Sequence, residues 1–160
     1  MKKIILLVAA LAGILFAKSV ELETPPNHKD GVNHLELVLI LDKSGSMSGL
    51  ESDTIGGFNS MIEKERKEGI DASVTTVLFD TKFNVIHDRT PLKKVENLTS
   101  KEYYAGGNTA LLDAIGSTIA RIERVPDIYA KNNRVLFVII TDGMENSSRE
   151  YSRAQIKKMI

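Results

Sequence analysis

The sequence lacks cysteine and tryptophan, and it carries no net charge. Its 160 residues include 21 lysines and arginines against 21 aspartates and glutamates, and only 6% are aromatic. Without cysteine, the chain can form no disulfide and can carry no lipid on a thiol, so nothing covalent indicates its compartment. Because there is no basic surplus and no cluster of basic and aromatic residues, we predict that it does not bind nucleic acid.

The overall composition is that of a globular protein. Apolar residues make up 42% of the chain and charged residues 26%. This balance is unlike that of disordered or fibrous proteins. The length suits one domain with a proper core.

The N-terminus has the pattern of an export signal. Lys2 and Lys3 precede 14 residues, Ile4 to Ala17, that include no polar side chain. A basic start and an apolar run of this length indicate a signal peptide over residues 1–17, and the run is shorter than the ~20 residues of a membrane-spanning helix. Because Leu15 is large for a cleavage site, an uncleaved anchor stays open as the alternative. We expect an exported protein, periplasmic or secreted, with residues 18–33 as a flexible tether.

Predicted β-strands and α-helices alternate along the chain from residue 34 onward. Apolar runs predict four strands, and helical spacing or capping signals predict three helices. The strands are Leu35–Leu41, Val74–Phe79, Phe83–His87 and Val135–Ile140; the helices are about Leu50–Lys67, Thr109–Glu123 and one beginning at Ser152. Phe83–His87 follows a three-residue turn and should pair antiparallel with the preceding strand. The alternation predicts an α/β fold with a mostly parallel sheet and helices on both faces.

Two of the predicted strands run into aspartate, at Asp42 and at Asp142. In an open α/β sheet the carboxyl ends of the strands meet at one edge, where ligands bind. Hydroxyls can reach the same edge from the first loop, at Ser44 and Ser46, and from the start of a helix, at Thr109. Oxygen ligands of this kind favour a hard cation, Mg²⁺ or Mn²⁺, and such a site leaves a coordination position for an incoming oxygen ligand.

Three segments resemble the von Willebrand factor A family. They are DKSGSM from Asp42, GGNTALLDAI from Gly106 and VLFVIITDG from Val135. The match covers about residues 35–160 and looks most like stand-alone bacterial members. The resemblance implies a Rossmann-like fold and a metal-ion-dependent adhesion site. Its ligands would be Asp42, Ser44, Ser46, Thr109 and Asp142, by direct or water-mediated contact, around Mg²⁺ or alternatively Mn²⁺.

Each part of this pattern also has a plainer interpretation. The first loop and the Thr-Asp-Gly segment are common turn sequences, and Thr109 alone would suit a helix N-cap. Asp113 is expected either to support the metal ligands from behind or to favour the helix start, and not to bind the metal itself. His28, His34 and His87 lack metal-ligand spacing.

One departure from the family concerns the end of the fold. The family continues with at least one more strand and a closing helix, whereas this chain stops at Ile160. The strand Val135–Ile140 would then have an open apolar edge, which another chain could pair with. The expectation is either a truncated sequence or a partner that completes the sheet.

These features predict a binding module and not an enzyme. The metal's free position would accept an acidic side chain from a protein partner. One alternative is a metal-dependent phosphatase or phosphotransferase, but Ser44 stands where such enzymes need an acid, and no P-loop, nucleophile elbow or cysteine nucleophile is present. The other alternative is an assembly subunit with a metal-stabilised loop.

Overall fold

The computed structural model describes residues 4–10 and 34–160, which form an α/β fold. The strands are β1 (Ile4–Ala10), β2 (His34–Asp42), β3 (Ala72–Phe79), β4 (Phe83–Pro91) and β5 (Asn133–Thr141), and the helices are α1 (Glu51–Lys67), α2 (Leu111–Glu123) and α3 (Arg153–Met159). Short 3-10 turns lie at Gly45–Met47 and Leu92–Lys94. The predicted fold class is confirmed.

The strands form one sheet in the order β1-β5-β2-β3-β4. Neighbouring strands are parallel except for β4, which pairs antiparallel with β3 as its short connecting turn predicts. β2 and β5 are central neighbours, with Leu41 opposite Ile140. Their carboxyl ends therefore meet at the same edge of the sheet.

Strand β2 is buried on both faces, and its side chains alternate between two cores. One core contains the odd-numbered residues, such as Leu39, together with Phe58 and Ile62 of α1. The other contains Val38 and Ile40 together with apolar residues of α2 and α3. The sheet is therefore a middle layer with α1 on one face and the other two helices opposite, which explains the nearly continuous apolar sequence of its central strands.

The outer edge of β5 differs from the expectation. β1 pairs with it in parallel, from Ile4 opposite Val135 to Ala10 opposite Thr141. The edge expected to be open is thus occupied by the chain's own apolar segment, whose β-compatible residues can form a parallel ladder with an apolar strand. The rest of the predicted signal peptide and the predicted tether lie outside the described residues. In the two described stretches, no helix is long and apolar enough to cross a membrane.

Candidate metal centre

The loop after β2 arranges three of the predicted ligands. The backbone N–H of Ser44 donates to Asp42 Oδ1 at 2.7 Å, which folds the loop back over the strand end. The hydroxyl oxygens of Ser44 and Ser46 are 3.1 Å apart. Asp42 and Ser44 are buried, while Ser46 is exposed at the mouth of the loop.

Gly143 shows how closely the distant segments approach this loop. A Cβ atom added to this glycine would lie 2.7 Å from Thr109 Oγ1, 2.9 Å from Ser46 Oγ and 3.0 Å from Asp42 Oδ2. Three oxygens, two from this loop and one from Thr109, therefore surround one small space. Only a residue without a side chain can lie against them there.

Thr109 is held in place by its backbone and does not cap the helix. Its N–H donates to Asn146 Oδ1 at 2.9 Å, and its carbonyl accepts from the N–H groups of Asn146 and Ser147 at 3.1 and 3.3 Å. The N-cap of α2 is Ala110, which has no side-chain cap. The Thr109 hydroxyl instead shares the space beside Gly143 with the Ser46 hydroxyl of the loop after β2, and the helix-cap interpretation does not apply.

Asp142 is the one predicted ligand whose side chain is not drawn into this cluster. It follows β5 directly, is exposed, and makes no hydrogen bond or ion pair with the other residues between 34 and 160. Its two neighbours, Thr141 and Gly143, both contact the cluster. The structure thus brings Asp42, Ser44, Ser46 and Thr109 together. Asp142 lies beside this cluster, between two residues that contact it.

The carboxylate of Asp42 is fully buried, and within residues 34–160 no cationic side chain pairs with it. The neighbouring Lys43 instead binds Asp80, with 2.6 Å between Nζ and Oδ2. Partial burial acts to raise the pKa of Asp80, but hydrogen bonds from Lys43 and from backbone N–H groups outweigh it and lower that pKa. An isolated charge in a protein interior is costly unless an opposite charge compensates it. A cation beside Asp42 would supply that compensation.

The donor set fits a small hard cation. Mg²⁺ binds oxygen ligands in an octahedron at about 2.1 Å, so neighbouring ligand oxygens lie about 3 Å apart. The 3.1 Å between the Ser44 and Ser46 hydroxyls matches this spacing. Within the described residues no group of three or more His, Cys, Asp and Glu side chains could hold a metal. A site here has to rely on hydroxyls as well as carboxylates.

Thr141 is a site residue that the sequence interpretation missed. Its hydroxyl donates to Asp42 Oδ2 at 2.6 Å, and it is buried. With Ser44 on the other oxygen, both carboxylate oxygens of Asp42 are fixed, and each keeps a lone pair for another partner. The sequence did contain a signal for this role. Thr141 is a hydroxyl residue directly before Asp142, at the end of a strand that was expected to lie at the same sheet edge as Asp42.

Tyr103 anchors the start of the loop after β2. Its buried hydroxyl donates to the backbone carbonyl of Asp42. Burial, opposed by a hydrogen bond with Thr54 and assisted by the charges of Asp42 and Glu51, raises the pKa of Tyr103 to about 12. The phenol therefore stays a neutral donor at any physiological pH.

Asp113, in the first turn of α2, accepts hydrogen bonds from the loop after β5, and Glu145 acts with it. Asp113 accepts the backbone N–H groups of Arg149, Glu150 and Tyr151 at 2.8 to 2.9 Å. Glu145 accepts the N–H of Leu112 in the first turn of α2 at 2.9 Å, as well as donors from its own loop. For both acids partial burial acts to raise the pKa, but these hydrogen bonds outweigh it and lower the pKa. Together they hold the loop after β5 against the start of α2.

The described histidines have structural contacts away from this edge. His34 contacts Asp71 and Glu36 at 2.8 and 3.2 Å, and His87 stacks on Phe58. His28 lies outside the described residues.

No model of a known protein family matches the chain, and no curated protein matches it.

Proposed function

We propose that this chain is a metal-dependent protein-binding domain of the von Willebrand factor A type. Asp42, Ser44, Ser46, Thr109 and Asp142 would hold one Mg²⁺, or alternatively Mn²⁺, directly or through water. The bound ion would offer a free coordination position to an acidic side chain of a protein partner. The observation that carries the proposal is the buried Asp42 carboxylate, which lacks a cationic partner within residues 34–160 and shares one small space with the Ser46 and Thr109 hydroxyls.

The charge of the donor set supports binding over catalysis. Two carboxylates balance a 2+ ion, and the three alcohols add no charge, so the ion stays electrophilic enough to attract a carboxylate. A phosphatase of this architecture would need a proton donor two residues after the first aspartate. That position is Ser44, whose hydroxyl lies 3.1 Å from Ser46 Oγ and is a poor acid at neutral pH.

Calorimetric titration with Mg²⁺ and Mn²⁺ tests the site. The unmodified protein should bind one ion, and Asp42→Ala should lose that binding because the central carboxylate is gone. Asp53→Ala is the matched control, since Asp53 is an exposed aspartate in α1 and should be dispensable. Equal binding by Asp42→Ala and the unmodified protein would reject the site, provided that circular dichroism shows both folded.

A phosphatase assay tests the enzymatic alternative. With p-nitrophenyl phosphate as the probe, we expect no turnover that depends on Mg²⁺. Turnover that requires Mg²⁺ and disappears in Asp42→Asn would contradict the binding-module proposal and favour an enzyme.

A further inference from the structure

Three exposed apolar side chains lie on segments next to the candidate metal centre. Between residues 34 and 160, four large apolar side chains are exposed: Phe83 (44%), Tyr104 (61%), Met144 (87%) and Ile160 (45%). The first three lie at the sheet edge that carries the metal centre, and we call them the apolar rim. Single exposed apolar residues are ordinary, but several around one polar site indicate an interaction surface.

Tyr104 is fixed next to the loop after β2. The Nζ atom of Lys43 lies 4.6 Å from the centre of the Tyr104 ring, and Lys43 is itself held by Asp80. The same segment is bound to the loop by its backbone, because the Gly106 N–H donates to the Lys43 carbonyl at 2.8 Å. An exposed aromatic ring that is already held in position loses little entropy when a partner covers it.

The other two members approach the centre from different sides. Met144 follows Gly143, the residue that lies against the hydroxyls of Ser46 and Thr109. Phe83 begins β4, at the end of the hairpin whose Thr81 hydroxyl accepts the N–H of Asn108 at 2.9 Å. The rim therefore has members on three segments that all contact the site loops.

We propose that the apolar rim and the bound cation together recognise an acidic residue flanked by apolar side chains in a protein partner. This inference rests on the proposed function, because the cation is what attracts the carboxylate. The rim adds selectivity for the neighbouring residues. A partner segment with an aspartate or glutamate between apolar residues matches both the charge and the apolar surroundings of the centre.

The two parts of this surface strengthen each other. On a metal ion that is open to solvent, a carboxylate competes with water molecules for the coordination position. The solvent also screens the attraction between the carboxylate and the ion. Apolar side chains packed around the contact exclude water, and a lower local dielectric strengthens the electrostatic attraction. We therefore expect the rim to matter most for ligands that also place a carboxylate on the cation.

Short synthetic peptides in four sets test the proposal. Each peptide has a central Asp or Asn, and its flanking residues are either Leu and Phe or Ser and Gln. In Mg²⁺ the unmodified protein should bind the set with Asp and apolar flanks at least about tenfold more tightly than the set with Asp and polar flanks. Tyr104→Ala and Met144→Ser should each remove most of this preference without changing the affinity for Mg²⁺ alone.

Ile160→Ser is the matched control, because it removes an exposed apolar side chain next to α3 and should leave the preference intact. If peptides with apolar and polar flanks bound equally well, and binding still required Asp and Mg²⁺, the role of the apolar rim would be overturned. The proposed function would remain. Loss of the Asp dependence would overturn both.

Two further outcomes would assign the rim to another occupant. Sedimentation of the protein alone in Mg²⁺ should give a monomer; a dimer that Tyr104→Ala returns to monomer would show that a second copy covers the rim. Binding to phosphatidylcholine vesicles that Tyr104→Ala abolishes would assign the rim to a lipid surface. Either result would overturn the proposal of a peptide-like partner.

Discussion

Asp42 combines the features on which the proposed site depends. Its carboxylate is fully buried, and its two oxygens accept hydrogen bonds from the Ser44 N–H and the Thr141 hydroxyl. Two neutral donors orient a carboxylate but do not neutralise it. The residue is therefore oriented, and within residues 34–160 its charge has no cationic partner, so a bound cation would compensate it.

Gly143 should be needed for tight binding of the metal ion. In Gly143→Ala the new methyl group would lie within 3.0 Å of three oxygens of the site, so at least one hydroxyl or the carboxylate has to move. We expect the affinity for Mg²⁺ to fall by about tenfold or more in calorimetry.

The control for this change is Gly106→Ala, since a Cβ atom there would meet no atom within 4 Å. It should bind Mg²⁺ like the unmodified protein. If Gly143→Ala also bound Mg²⁺ normally, the three oxygens could not be the ligands in the arrangement described.

Thr141 should act as a positioning residue. Thr141→Val removes the donor to Asp42 Oδ2 and keeps the shape of the side chain, so the carboxylate gains rotational freedom. We expect the Mg²⁺ affinity to fall by about 10- to 100-fold, the usual range for residues that orient a metal ligand. Thr141→Ser keeps the hydroxyl and should restore most of the affinity; a Ser variant as weak as the Val variant would indicate a packing role instead.

At the scale of elements, α2 and the loop after β5 form one unit through close packing. A Cβ atom on Gly116 would lie 2.3 to 2.6 Å from ring atoms of Tyr151, so the loop packs directly on the helix backbone. This contact, together with the hydrogen bonds of Asp113 and Glu145, fixes the segment that carries Asp142 and Gly143.

Gly116→Ala should therefore destabilise the protein although alanine is the better helix former. Overpacking costs about 1–3 kcal/mol, which exceeds the gain of up to about 1 kcal/mol in helix propensity. Gly56→Ala in α1 is the matched control, because its Cβ would meet no atom within 4 Å, and it should stabilise by about 0.5–1 kcal/mol. Urea unfolding in EDTA measures both; a Gly116→Ala variant as stable as Gly56→Ala would contradict the packing.

The acid sensitivity of this unit follows from Asp113. Because its pKa is lowered in the folded state, its stabilisation is present above the ordinary pKa of about 4 and is lost as the pH falls through the lowered value. Asp113→Asn should cost about 1 kcal/mol at pH 7, allowing for solvent screening. The difference in unfolding free energy between the two proteins should shrink as the pH falls below about 4; a constant difference would contradict this role.

Most elements could be predicted from the sequence, because periodicity and capping signals are local. The capping box of Ser152 and Gln155 is formed as predicted, and β2 and β5 extend only a little beyond their predicted limits. β4 continues past His87 to Pro91 through an irregular pairing with β3, in which Arg89 has a positive φ of 47°. Nothing in the local sequence indicates such an irregularity, since it depends on the partner strand.

At the scale of the whole molecule, the sequence predicts that the ends of β2 and β5 lie close together. It does not predict which side chains contact each other there. Parallel strands bring Asp42 and the end of β5 to one edge whatever their register. The register decides that Thr141 meets Asp42, and a shift of one residue would turn it to the opposite face. The pairing of Ile4–Ala10 with β5 was also beyond local reasoning, because the same apolar run has the pattern of an export signal.

Anomalous diffraction from crystals grown with Mn²⁺ tests the central claim most directly. We predict one strong peak at the carboxyl edge of the sheet, about 2.1 Å from the hydroxyl oxygens that bind the ion directly, with the carboxylates of Asp42 and Asp142 bound or bridged by water. A peak elsewhere in the protein would contradict the account. So would a peak at the loop after β2 if Thr109 and Asp142 were both remote from it.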